Sequence, residues 1–343
     1  MTLKQSQRVA VIGAGAWGTA LAIHLARIGH SVRLWGHRPE AMRTMDQARQ
    51  NQRYLPGIEF PDTLEVEVEL DEALRGVSAV LVVVPSHVFR SQLRQLRTFW
   101  QTADALPHFA WATKGFEPDS QLLLHKVARQ ELGESASMTV LSGPTFAAEV
   151  AKGLPTAMVS ASKNTCEAEF WAQLFHHARF RMYTQADMVG VEIGGAYKNI
   201  MAIATGVSDG LGLGANARAA LISRGMAEMM RLSHALGGQS ETMMGLAGLG
   251  DLVLTCTDDL SRNRRFGYKL ARSETGVDQV VAEIGQVVEG VKAVRAVKML
   301  AEELELDLPI MEQVHALVTE SIRPQQAVSA LLARSGKAEA IEF

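Results

Sequence analysis

Apolar residues in the first half of the chain fall into short continuous runs, each followed by a stretch with helical spacing. RVAVI at 8–12 is such a run, and an amphipathic helix to about Ile28 follows it. A second strand is predicted from Val32 to Trp35, after Gly29, and others at 79–84, 108–113, 138–142, 156–161 and 180–184. Helical patterns near 87–101, 120–132 and 165–177 separate several of them. Runs that are apolar throughout belong to strands covered on both faces, so the pattern predicts an α/β domain around a doubly wound parallel sheet. After about Asp187 the texture changes. Residues 190–334 carry no strand run, only Ala-, Met- and Leu-rich helical patterns such as 191–205, 215–236 and 291–304. The boundary falls within 186–190, which predicts an α/β domain over 1–189 and an all-helical domain over 190–343.

Composition agrees with two folded domains. The 343 residues are about two domains' worth at ~150 residues each. Hydrophobic residues make up 47% and charged residues 21%, which excludes a largely disordered chain. The formal charge, 34 − 37 = −3, offers neither a basic surface for nucleic acid nor an acidic tail. Cys166 and Cys256 lack CxxC or His-rich neighbours, so a disulfide framework and a metal site are both unexpected, and a reduced cytosol is the natural compartment. No apolar run approaches the ~18–20 residues of a membrane span; the strongest, Val77 to Pro85, has strand length. The amino terminus runs from a short polar lead into a strand without a signal-peptide core. A soluble, cytoplasmic protein is expected.

Gly13-x-Gly15-x-x-Gly18 follows the first strand and opens the first helix. In that context GxGxxG predicts a Rossmann-like dinucleotide site: the glycines admit a pyrophosphate to the backbone, and the helix start supplies amides and partial positive charge. A site for NAD holds the ribose 2′-hydroxyl with an acid at the end of the second strand. Here Gly36-His37-Arg38-Pro39 stands there, with Glu40 the first acid, so His37 and Arg38 could meet the 2′-phosphate of NADP or lie solvated in a loop.

Ligands of an open α/β sheet sit beyond the carboxyl ends of its strands. Three ends carry chemistry there. Val84-Pro85-Ser86 is a stiff turn, Ala112-Thr113-Lys114-Gly115 offers a cation, and Ser142-Gly143-Pro144-Thr145-Phe146-Ala147 offers amides and the Thr145 hydroxyl. In the helical domain, Gly194, Gly195 and Ala202 share a helix face with Lys198. A lysine on so bare a face is partly desolvated, which suits acid/base work; helix packing at the glycines is the alternative. Gly245-Leu246-Ala247-Gly248-Leu249-Gly250-Asp251 is a glycine-rich segment ending in an acid, and Asp259-Leu260-Ser261-Arg262-Asn263-Arg264-Arg265-Phe266-Gly267 follows. Ser261 or Asn263 should start a helix whose first-turn arginines oppose its dipole. A bound phosphate would resolve that conflict, and a solvated charge run is the plainer alternative.

From Val9 to about Pro309 the chain resembles the bacterial NAD(P)-dependent glycerol-3-phosphate dehydrogenases. GAGAWGTALA, WGHRPE, ATKGFE, LSGPTFAAEVAKGLPTA, GGAYKNIMAIATG, GLAGLGDLVLTCTDDLSRNRRFG and VVEGV carry the resemblance, in order. It implies reduction of dihydroxyacetone phosphate to sn-glycerol 3-phosphate, a phospholipid head-group precursor, with NADPH or NADH. By position, Lys198 matches the proton donor/acceptor. Lys114, Gly143, Thr145, Asp251, Ser261, Arg262 and Asn263 match substrate contacts. Ala16, Trp17, His37, Lys114, Ala147, Arg262, Val287 and Glu289 match cofactor contacts. A homodimer is the family expectation. Two other readings remain: a reductase of 3-hydroxy or sugar acids on the same plan, which does not need Ser-Arg-Asn after a glycine-rich turn, and a catalytically silent dinucleotide sensor, which has no use for Lys198 with Asp251.

Overall fold

The computed structural model describes residues 5–101, 106–285 and 287–334. The first residues of the polar lead and the 335–343 end of the expected helical domain lie outside them. Eight strands form one sheet: β1 (Arg8–Ile12), β2 (Ser31–Trp35), β3 (Leu64–Glu67), β4 (Ala79–Val82), β5 (His108–Trp111), β6 (Thr139–Ser142), β7 (Thr156–Ala161) and β8 (Phe180–Gln185). Their order is β3-β2-β1-β4-β5-β6-β7-β8. Chain order reverses between β1 and β4, so the ligand crevice of a doubly wound sheet lies above the end of β1, where the glycine fingerprint begins.

The sheet is mixed, which corrects the expectation of parallel strands throughout: β7 pairs antiparallel with β6, while the other pairs are parallel. A continuous apolar run reports that both faces are covered and carries no information on direction, which the connections decide. β3 was not predicted, because LEVE is short, half polar and mostly outside the core.

The chain divides into two compact units, Met1–Lys114 with Leu124–Met188, and Gly115–Leu123 with Val189–Phe343. The excursion Gly115–Leu123 is absent from a single cut at 189/190. Phe116 and Leu123 are buried in the second unit's core with Tyr197 and Ile200, and the predicted 120–132 helix accordingly begins only at Leu124. The first unit packs Val9, Val11, Leu21, Leu25 and Leu34 between sheet and helices. The described residues of the second unit contain helices and no strand of the sheet. Its central helix, Met188–Gly210, has Ala196, Tyr197, Ile200, Met201 and Ile203 fully buried. Apolar residues on nearly every side are what a helix at the middle of a bundle needs. No helix among the described residues is long and apolar enough to cross a membrane.

Candidate active site

At the end of β1 the three fingerprint glycines have different work. Gly13 has φ +126°, and a Cβ there would stand 2.3 Å from the Val83 carbonyl oxygen. A Cβ at Gly18 would come within 1.8 Å of the Gly13 carbonyl oxygen. Around Gly15 a Cβ would meet nothing within 4 Å. Two glycines therefore allow the chain to pack on itself, and the middle one borders open space where a pyrophosphate can approach. Gly15 caps the helix Ala16–Arg27 without a side-chain hydrogen bond, and its first turn has no acid, so the helix start suits an anion. The indole nitrogen of Trp17 is buried with no hydrogen-bond partner, a polar atom that a ligand here could satisfy. These features fit a dinucleotide. His37 and Arg38 are exposed beyond β2, and Glu40 is paired with Arg43.

Lys114, Gly143 and Thr145 form a second group in the same unit. The Lys114 ammonium donates to the Gly143 carbonyl at 3.4 Å and the Thr145 hydroxyl donates to the same oxygen at 3.3 Å. Ala147 begins the short helix Ala147–Lys152 directly after them.

In the second unit, Lys198 on the central helix is hydrogen-bonded and ion-paired to Asp251. Asp251 is fully buried and Lys198 is 7% exposed. Asp251 opens the helix Asp251–Thr257 directly after a single π-helical turn, Leu246–Gly250, an irregularity that recurs at functional sites. The bare face predicted beside Lys198 is occupied by this turn: a Cβ at Gly194 would stand 2.2 Å from the Ala247 carbonyl oxygen. Gly194 thus serves the packing that brings Asp251 to Lys198. The packing alternative raised for that face is therefore what the structure shows at Gly194.

Ser261 is the N-cap of the helix Arg262–Arg272, its hydroxyl accepting from the Arg264 amide at 3.3 Å. The dipole conflict expected for this turn is met partly from within the protein. Arg264 is held by Asp209, with contacts of 2.6 and 3.1 Å, and pairs with Asp259. Arg262 is half-buried at the first helical position. Asn263 is buried; its amide donates to Asn199 Oδ1 at 2.8 Å and its carbonyl accepts from the Gly290 amide at 2.9 Å. Asn199 in turn donates to Glu289 at 3.4 Å, while Val287 is exposed two residues earlier.

Profile models of the NAD-dependent glycerol-3-phosphate dehydrogenase N-terminus and C-terminus match residues 8–168 and 187–329. Over 98% of its length the chain is 63% identical to the glycerol-3-phosphate dehydrogenase [NAD(P)+] of Hydrogenovibrio crunogenus, covering 97% of that protein. The chain belongs to this family. It is 54% identical to the Thioalkalivibrio sulfidiphilus enzyme, over 96% of this chain and 98% of that one. A crystal structure of glycerol-3-phosphate dehydrogenase from Coxiella burnetii superposes with a TM-score of 0.91 at 46% identity, covering 96% of this chain and 99% of that one.

Two polar residues of this dehydrogenase that the sequence did not single out touch the ones it did. Asn199 links Asn263 to Glu289, and its only signal was its place beside Lys198. Thr255 donates its hydroxyl to the Asp251 carbonyl at 2.6 Å, legible only as the position one helical turn after the acid. Cys256 follows it, and burial pushes that thiol up to about 12, which makes it inert at neutral pH.

Proposed function

We propose that this oxidoreductase reduces dihydroxyacetone phosphate reversibly to sn-glycerol 3-phosphate, with NADPH or NADH bound along Gly13, Gly15, Ala16, Trp17 and Gly18. The observation that carries the reading is the buried Lys198–Asp251 pair. When bound, the reduced nicotinamide supplies a hydride to the ketone carbon. Lys198 donates a proton to the ketone oxygen as negative charge develops there, and is neutral afterwards until it regains one. Asp251 orients the ammonium and compensates its charge, since a buried lysine without a counter-charge would favour the neutral form.

Arg262, with Ser261 and Asn263, holds the substrate phosphate. The Ser261 hydroxyl and the Asn263 amide each retain a hydrogen beyond the bonds described above, which suits an anion at the helix start. Binding energy at the phosphate, remote from the reacting carbon, then positions the ketone. Lys114, with Gly143 and Thr145, adds a cation and a hydroxyl for substrate or cofactor. Ala147, Val287 and Glu289 complete the cofactor contacts, and His37 with Arg38 receive a 2′-phosphate. Family membership supports a homodimer in the cytoplasm, supplying glycerophospholipid synthesis.

The test is oxidation of NADPH and NADH, followed by absorbance, with dihydroxyacetone phosphate and with a panel of unphosphorylated ketones and keto acids. Turnover confined to the phosphorylated ketone, with NADPH used at least as well as NADH, is expected. Equal turnover of a keto acid would overturn the substrate assignment, and a hundredfold preference for NADH would overturn the role of His37 and Arg38.

A further inference from the structure

We propose that Asp209 is a positioning residue that fixes the spacing between Lys198 and Arg262, and thereby selects ketones by the distance from carbonyl to phosphate. The inference rests on the reading that Lys198 meets the carbonyl and Arg262 the phosphate. Those residues lie on two different helices, Met188–Gly210 and Arg262–Arg272. The length of substrate that reaches both is therefore set by how the two helices are registered.

Three contacts set that register. Near Lys198, the Asn263 amide donates to Asn199. In the middle the backbones touch. A Cβ at Gly206 would stand 2.1 Å from the Arg264 carbonyl oxygen, and one at Gly267 would stand 2.2 Å from the Ile203 carbonyl oxygen. At the far end, Asp209 Oδ2 accepts from Arg264 Nη2 at 2.6 Å and Nε at 3.1 Å, while Oδ1 accepts from Arg218 at 2.8 Å. Arg218 lies on the helix Gly214–Ala235, so one carboxylate ties three helices. Asp209 stands 11 residues beyond Lys198, about three helical turns, and takes no part in the proposed proton transfer or phosphate contact.

A near-buried ion pair adds little stability over an apolar pair of the same shape, because desolvation offsets the attraction, but its geometry is demanding. The side chains of Asp209 and Arg264 are 9% and 11% exposed, and a guanidinium fork on a carboxylate oxygen permits little sliding. Among the described residues, removing the charge at 209 leaves Arg264 paired only with Asp259, whose side chain is 86% exposed. The helix that begins at Arg262 is then held to the central helix only by the Asn263–Asn199 bond and the Gly206–Gly267 crossing, and the carbonyl-to-phosphate distance is fixed less tightly.

The experiment compares kcat/KM for dihydroxyacetone phosphate with that for its homologue carrying one more methylene between carbonyl and phosphate, 4-hydroxy-3-oxobutyl phosphate. The ratio does not depend on how much of a preparation is active, so partial unfolding cannot move it. One methylene is worth roughly 10–200-fold in a fitted site, and the wild type should discriminate within that range. In Asp209→Asn the ratio should fall at least about fivefold, mostly through KM for the shorter ketone, and Asp209→Glu should recover part of it. Gly210→Ala, whose Cβ would press on the Tyr268 carbonyl oxygen at 2.6 Å, is the second variant and should move the ratio in the same direction. An unchanged ratio in folded Asp209→Asn or Gly210→Ala, with only a lowered Tm, would overturn the proposal. A wild type without preference for a phosphorylated ketone would instead overturn the functional reading on which it rests.

Discussion

The Lys198 ammonium rests on the Asp251 carboxylate with almost none of either residue exposed to solvent. Asp251→Asn keeps the shape of that contact and removes its charge. We expect kcat with dihydroxyacetone phosphate to fall by roughly 10- to 100-fold, while fluorescence titration shows unchanged NADPH binding. Steady-state rates beside a Tm check this. A variant with wild-type kcat would mean that Asp251 only fills space beside the lysine.

Gly15 and Gly18 are predicted to fail in opposite ways. Gly15→Ala places a methyl in open space at φ −76°, an ordinary backbone angle, so Tm should stay within about 1 °C while NADPH affinity falls. Gly18→Ala drives a methyl into the Gly13 carbonyl and should lower Tm by several degrees. Thermal melts with cofactor titrations separate the two. Equal thermal losses would contradict the division of labour within the fingerprint.

Arg262→Ala tests the proposed charge-assisted hydrogen bond to the phosphate. The loss should be about 1.5–3 kcal/mol, or roughly ten- to a hundredfold in kcat/KM for dihydroxyacetone phosphate. Residual activity on dihydroxyacetone, which has no phosphate, should change far less. Equal losses on both would mean that Arg262 supports the fold or the cofactor, and would move the phosphate to Lys114 and the Gly143–Thr145 turn.

His24 is buried in the first unit, stacked on Phe180 with its Nε2 2.8 Å from the Phe175 carbonyl oxygen. Burial lowers it to about 4, and His30, whose Nε2 lies 3.0 Å from the Leu174 carbonyl oxygen, is lowered for the same reason. Between pH 4 and an ordinary histidine's pH 6.5 the unfolded chain binds more protons at His24, so stability is full above that window and falls on acidification through it. In the second unit, Glu228 accepts from the Tyr197 hydroxyl at 2.5 Å and from the Ile310 and Met311 amides, yet burial outweighs these bonds and raises it to about 7. Its contribution has the opposite sign, being full below an ordinary carboxyl's pH 4.5 and lost as pH rises from there to about 7. Because the two contributions oppose each other over nearly the same range, denaturant midpoints across pH 4.5–8.5 should show His24→Phe losing less stability than the parent on the acid limb below pH 6.5, with the two profiles parallel above it. An unaltered acid limb would remove His24 from the account.

The sequence showed most of what its own neighbours determine. Seven of the eight strands, the helix starts at Ala16 and Arg262, and the fingerprint turn follow from local apolar spacing, glycine position and capping chemistry. What it hid depends on distant partners. The direction of β7 is set by its connection, and the allegiance of Gly115–Leu123 by Phe116 and Leu123 joining a core some 80 residues later in the chain. Arg264 looked like part of an anion site because Asp209, which neutralises it, lies 55 residues away. The candidate list could be assembled from motifs, and the resemblance already set Asp251 beside Lys198; what the sequence hid is the π-helical turn that joins them, which has no signature beyond its glycines.

The most direct test of the mechanism is Lys198→Ala, assayed for turnover of dihydroxyacetone phosphate and, by fluorescence, for binding of reduced cofactor. Removing the proposed general acid should lower kcat by a factor on the order of 10²–10⁴, with the NADPH dissociation constant unchanged within about twofold. A variant that binds NADPH normally and retains more than about a tenth of wild-type turnover would contradict the assignment of Lys198 as the proton donor.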